Sequence, residues 1–180
     1  NKLEEIQPET RIVLRSISER YKKLGRWEAH FKQETFSIGL GKGTYNEGRL
    51  IFVGPNRFRY TIVQPENSDF ICDGKKAWYI NYREGRNKAA HVRAFAQLAE
   101  SDIDRYLILL RGIDANSPAK EKKLLKDFAV SGKSTGSEIT LELKPKQSSD
   151  VSKVELVFRN DDVAPYRARI TDVIGNTTTI

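Results

Sequence analysis

The stretch GRLIFVGPNRFRY, residues 48–60, reads as two strands joined at Gly54-Pro55-Asn56. Leu50 and Phe52 alternate before the turn, Phe58 and Tyr60 after it, and Ile62 continues the series. A period of two places these side chains on one face of a sheet. Arg49, Arg57 and Arg59 take the other face, beside Ile51 and Val53. Such a pair is half-buried and antiparallel. Its greasy face either fills an ordinary core or lines a place where an apolar ligand goes.

The same period runs outward from this hairpin. Upstream, WEAHFKQETF puts Trp27, Ala29 and Phe31 on one face and Glu28, His30 and Lys32 on the other. SIGLGKGTYNEG, with Gly39, Gly41, Gly43 and Gly48, reads as a flexible crossing into the next strand. Downstream, DFIC and KKAWYINY are strand-like, separated by Pro65-Glu66-Asn67 and by Asp73-Gly74. Asp-Gly between two such runs signals a tight hairpin. In the last third, KDFAVSGK, SEITLELKP, SKVELVFR and YRARITDVI all alternate, and TTI at 178–180 opens a further strand.

Two segments break the pattern. Val13, Ile17, Tyr21 and Leu24 recur at helical spacing between Pro8 and Gly25, predicting an amphipathic helix over about 8–24. AFAQLAESDIDRYLILLRG, in the middle, has no strand alternation. Ser101 and Asp104 resemble a capping box, and Ile103, Tyr106, Leu107 and Leu110 form an apolar helical stripe. About ten antiparallel strands with two helical segments follow, in one domain over 1–180. Strands cover about 27–91 and 124–180, with a helical insert over about 94–123. A sheet this long curls or closes.

Composition narrows the function. At 38% apolar and 31% charged residues, the chain is that of a folded, water-facing domain. No run approaches the roughly 18–20 apolar residues of a membrane span. The net charge of +7 suits approach to anionic lipid or nucleic acid. Lys120, Lys122, Lys123 and Lys126 form the one dense basic cluster, which reads as a solvated face. Cys72 is the only cysteine and reads as a buried, inert thiol. GLGKGT lacks the Gly-Lys-Ser/Thr helix opening of a phosphate loop, since Gly43 follows Lys42. His30 and His91 have no partner at metal-ligand spacing. No serine, cysteine or threonine stands in a recognisable nucleophile context, so no catalysis, cofactor or metal is expected. A nucleic-acid module is the weaker alternative, because Phe58 and Tyr60 should point away from Arg57 and Arg59, whereas stacking on bases wants rings and charges on one face.

The ordered set of segments resembles the LolA family, periplasmic carriers of outer-membrane lipoproteins. The resemblance is carried by ISERYKKLG running into WEAHFKQ, by GRLIFVGPNRFRY, by QPENSDFICDGKKAWYINY, and then by LKDFAV, ITLELKPK and ITDVIGNTTTI. It covers nearly the whole chain from about Val13. The resemblance implies a half-open antiparallel barrel of ten or eleven strands under a helical lid, which holds acyl chains between two membranes without chemistry. It implies a monomer in the periplasm, its signal peptide already removed, with lipoprotein acyl chains as ligand and no nucleic acid. An inner-membrane releasing transporter and an outer-membrane receptor would be its partners. On that reading Trp27, Phe31, Leu50, Phe52, Phe58, Tyr60, Ile62, Trp78 and Ile80 line the cavity. Ile103, Tyr106, Leu107 and Leu110 face it from the lid. Members often carry an Arg before the hairpin proline that helps latch the lid; Gly54 stands there in this chain. A sensor or structural module of the same fold, binding lipid or lipoprotein without moving it, is the second reading.

Overall fold

A computed structural model of the chain describes residues 6–23, 25–53, 57–83, 88–95, 115, 117–160, 162 and 165–180. Eleven strands form one antiparallel sheet: β1 (Arg26–Ser37), β2 (Lys42–Val53), β3 (Arg57–Gln64), β4 (Ser68–Asp73), β5 (Ala77–Arg83), β6 (Lys88–Phe95), β7 (Phe128–Thr135), β8 (Glu138–Pro145), β9 (Val151–Arg159), β10 (Arg167–Asp172) and β11 (Thr177–Thr179). Helix α1 (Pro8–Lys23) precedes the sheet and α2 (Pro118–Asp127) leads into β7. The spatial order is β6-β5-β4-β3-β2-β1-β11-β10-β9-β8-β7, so the sheet is open, with β6 and β7 at its edges.

The quoted hairpin pairs as its alternation predicts, Leu50 opposite Tyr60 and Phe52 opposite Phe58. Phe52, Phe58 and Cys72 from one half of the sheet share a single buried cluster with Leu141, Leu143 and Val154 from the other. Strands so far apart in sheet order can share a core only if the sheet curls around it. The inner faces therefore form a concave wall, and the fold is a half-open barrel.

Helix α1 occupies part of that concavity. Val13, Leu14 and Ile17 are buried on the face it turns to β7 and β8. Close approach is possible because β7 has Gly132 beneath it, where a Cβ would sit 3.1 Å from Val13 Cγ1. The Thr10 hydroxyl accepts from the Gly132 amide at 3.0 Å. Arg11 pairs with the largely buried Glu121 of α2 at 3.0 Å, and Ser18 accepts from the Ala115 amide at 2.9 Å. Ser117 caps α2 by accepting from the Lys120 amide, the arrangement expected of serine ahead of Pro118. Lys120, Lys122, Lys123 and Lys126 are exposed on α2, the solvated face expected of them.

Two elements differ from the sequence reading. The glycine-rich segment is strand from Lys42 onward, closed by a turn at residues 38–41, because β1 offers a continuous partner out to Ser37. The run at 88–95 is a strand of its own, β6, which extends the first sheet half past residue 91.

Gly48 lies at a register shift between β2 and β3. A Cβ there would stand 2.0 Å from the Thr61 carbonyl oxygen and 2.4 Å from Phe31 Cζ. Neither backbone nor a stacked ring yields cheaply. Gly48→Ala should therefore destabilise the fold by about 2–3 kcal/mol, read as a lowered urea midpoint at unchanged m.

Candidate functional site

The inward positions of β1 to β4 make an aromatic wall. Three cross-strand ring pairs stack along it: Trp27 with Phe52 at 5.7 Å, Phe31 with Tyr60 at 4.4 Å, and Phe58 with Phe70 at 5.6 Å between centroids. Trp27 is directly opposite Phe52 in the ladder, Phe58 is diagonal to Phe70, and Phe31 reaches Tyr60 across Gly48 of the intervening β2. Gly48 leaves the space that the Phe31 ring fills. Leu50 and Ile62 complete the wall, partly buried against the same cluster.

The two halves of the concavity differ in character. Under α1, Leu141, Leu143, Val154, Leu156 and Phe158 are fully or almost fully buried, as in a permanent core. On the aromatic side Phe52, Phe58 and Tyr60 are buried, whereas Trp27, Phe31, Leu50, Ile62 and Phe70 are only partly so.

Trp78 and Ile80 do not join this wall. Ala77 pairs with Cys72 and Tyr79 with Phe70, so the odd-numbered positions of β5 turn inward. Trp78 and Ile80, opposite Ile71 and Asp69, stand on the convex face. The sequence assignment followed side-chain size; the length of the 73–76 turn decides the face instead, and a one-residue change flips every side chain. Asp73 closes that turn by accepting from the Lys75 and Lys76 amides at 2.8 Å. Cys72 is buried on the inner face, as expected. The lid positions Ile103, Tyr106, Leu107 and Leu110, the capping pair Ser101 and Asp104, and Gly54 lie outside the described residues.

Polar groups within the concavity fall into two sets. Tyr60 Oη donates to Gln33 Oε1, Gln33 Nε2 donates to Thr35 Oγ1 at 3.2 Å, and Thr35 Oγ1 lies 3.4 Å from Thr178 Oγ1. This chain edges the aromatic wall and is internally satisfied. By contrast Tyr21 Oη and Trp27 Nε1 are enclosed and find no partner among the described residues. Tyr21 packs edge-on against Phe158, and burial pushes its hydroxyl well above the ordinary value of 10.0. Gln33, Phe70 and Tyr79 were not assigned to the wall from sequence; Trp27 was, and Tyr21 was read as part of the apolar stripe of α1, but neither was read as a polar donor. Continuing the Trp27–Phe31 alternation by one step would have found Gln33.

Ion pairs of the first sheet half stand on the convex side. Arg49 pairs with Glu28 there, and Arg59 Nη2 reaches Asp69 Oδ2 at 2.5 Å. Asp69 has no exposed side-chain surface. Burial alone would push its carboxyl up, but donors from Arg59, Thr61 and Tyr82 more than reverse this and hold it below the ordinary 3.8. The cluster ties β3, β4 and β5 together behind the aromatic wall. With Phe58 and Tyr60 inside and Arg57 and Arg59 outside, rings and guanidinium groups lie on opposite faces, which is no platform for stacking bases. Among the described residues no group of three or more His, Cys, Asp or Glu side chains could hold a metal. No described helix is long and apolar enough to cross a membrane.

The family model described as "Outer membrane lipoprotein carrier protein LolA" matches residues 22–180. The chain belongs to the LolA family. Curated relatives include the outer-membrane lipoprotein carrier protein of Pectobacterium carotovorum subsp. carotovorum (strain PC1), 23% identical, with 86% of this chain and 79% of the relative covered. Another is the outer-membrane lipoprotein carrier protein of Aliivibrio fischeri (strain MJ11), 28% identical over 77% of each chain. A solved LolA superfamily protein from Nitrosomonas europaea aligns over 91% of this chain and 74% of its own, at 17% identity and a TM-score of 0.38. That likeness is too loose to carry a functional argument. The family description and the names of the relatives describe carriers of lipoproteins and name no catalysis.

Two outcomes test this geometry. Asp69→Asn leaves Arg59 without its counter-charge and should cost about 2–3 kcal/mol at neutral pH. The folded carboxyl titrates below the unfolded one, so its contribution is full above about pH 5 and is lost as pH falls through the folded value. The difference between wild type and Asp69→Asn should accordingly shrink in acid. Tyr21→Phe removes an enclosed hydroxyl that has no acceptor among the described residues, and should raise the stability of the empty protein by about 1 kcal/mol in urea unfolding.

Proposed function

We propose that this protein is a periplasmic carrier that holds the acyl chains of lipoproteins against its aromatic wall and moves them from the inner to the outer membrane. The observation carrying the reading is the wall itself: three stacked ring pairs on the concave face of an open sheet, less fully buried than the part of the same core under α1.

The physical task explains why such a surface is needed. Each buried CH₂ is worth about 0.8 kcal/mol, so one sixteen-carbon chain exposed to water costs on the order of 10 kcal/mol. Unassisted transfer between membranes would be very slow. A carrier must match the apolarity of the bilayer without exceeding it. Here the sheet satisfies its own backbone while its inner face stays apolar. Phe52, Phe58 and Tyr60 are buried in this structure, so cargo must replace groups that already cover them. One apolar contact is exchanged for another, a near-balanced equilibrium that permits loading and release. The sequence between β6 and α2, with Ile103, Tyr106, Leu107 and Leu110, is the proposed movable cover.

Tyr21 and Trp27 extend the reading. Acyl groups enter through ester and amide linkages, whose carbonyl oxygens accept hydrogen bonds. The two unpartnered donors would meet those carbonyls, giving orientation to a ligand otherwise held by non-directional contact. Transfer would involve a releasing transporter at the inner membrane and a receptor at the outer, with the carrier acting as a monomer.

The decisive experiment is release of lipoprotein from inner-membrane vesicles into a soluble complex. Wild type should release it, and Phe58→Glu or Leu107→Glu should abolish release while the sheet stays folded. Untouched release in both variants would overturn the assignment of these residues. Tyr21→Phe should weaken binding of a diacylated ligand about fivefold while leaving binding of a hydrocarbon fluorophore unchanged.

A further inference from the structure

The β1–β2 hairpin is longer than the sheet needs. The last β2–β3 pair is Glu47 with Gln64, so residues 42–46 of β2 run past the end of β3. At its tip, Ile38 and Leu40 are 58% and 75% exposed. A Cβ built at Gly39 or Gly41 meets nothing within 4 Å, so the tip stands free. The β10–β11 turn lies beside it, because the Ile38 amide donates to Asn176 Oδ1 at 2.9 Å. That turn adds Val173 and Ile174, 64% and 73% exposed. Phe36 and Tyr45 flank the tip on the convex side. Six large apolar residues are thus gathered at one projecting end of a chain that is otherwise 31% charged.

We infer that this end is a membrane-docking tip, which inserts shallowly into the interface of a bilayer containing anionic phospholipid. Three features favour a bilayer as the occupant. The tip projects and combines two turns, so it suits a deformable surface. Residues 35–46 hold a single charge, Lys42, which is positive and complements anionic headgroups, while the one carboxylate of the second turn, Asp172, is taken up by donors of that turn. Its second turn is already satisfied internally, as a medium poor in water requires. The Asp172 amide donates to the Asn176 carbonyl and the Val173 amide to the Asp150 carbonyl. The Ile174, Gly175 and Asn176 amides all donate to Asp172 Oδ1, and Asn176 Nδ2 donates to Asp172 Oδ2. Tyr45, with its hydroxyl on Glu34, has the amphipathic form that settles at headgroup level. The inference goes beyond the carrier reading, since it concerns how the protein touches a membrane and needs no acylated cargo.

The test uses protein-free vesicles of phosphatidylethanolamine and phosphatidylglycerol, with phosphatidylcholine vesicles for comparison. Wild type should float with the anionic vesicles, and Ile38→Asp combined with Leu40→Asp should lower its partition coefficient at least tenfold. Both substitutions are on exposed side chains, so the thermal midpoint and the binding of a hydrocarbon fluorophore should not change. That fluorophore reports the aromatic wall, so failure there and failure at the tip are separately visible. In a Cys72→Ala background, Leu40→Cys carrying an environment-sensitive fluorophore should shift to the blue on vesicles and be quenched by bromolipids. Lys42→Gln should weaken binding to the anionic vesicles only. The inference is overturned if the double variant binds vesicles as well as wild type, or if wild type does not bind. It is equally overturned if the substitutions only dissociate a dimer, which would make the tip a contact between copies.

Discussion

An eleven-stranded sheet has more inner surface than one short helix can cover. Eleven strands at roughly 4.8 Å span about 50 Å, whereas a sixteen-residue helix is about 24 Å long and 10 Å wide. Helix α1 settles over β7 and β8, where Gly132 lets it approach, and there the aliphatic residues are sealed. The inner face of β1 to β4 must find its apolar partners elsewhere. That mismatch of areas leaves one cluster fully buried under α1 and only partly buried along the aromatic wall.

The two faces of the first sheet half resolve their polar groups in opposite ways. On the convex side Asp69 is surrounded by three donors and locks neighbouring strands together. On the concave side Trp27 Nε1 has no partner among the described residues, and neither has Tyr21 Oη of α1, which packs against Phe158. Enclosed donors without acceptors cost stability, and natural proteins carry few of them. Both side chains pack against the shared cluster.

Much of this was legible in the residues. The alternation through Leu50, Phe52, Phe58, Tyr60 and Ile62 predicted their common face, and the pairing follows it. Asp73-Gly74 announced its hairpin, and the spacing of Val13 and Ile17 announced α1. The misplacement of Trp78 and Ile80 has a definite origin. KKAWYINY offers two alternating faces of similar apolarity, and only the register against Phe70 and Cys72 chooses between them. The glycine-rich segment read as a loop for a related reason. Glycine has weak strand propensity, and the long partner β1 overrides it.

Local chemistry thus determined the strand-rich class, the turns, the opening helix and the side of the central hairpin that would be greasy, because periods of two and of 3.6 are complete within a few residues. Tertiary structure alone decided which side of β5 faces inward, which strands α1 packs on, which donors lack acceptors among the described residues, and that Ile38 meets Asn176. Those outcomes depend on register and on contacts between segments far apart in the chain, and no short window of sequence contains both partners.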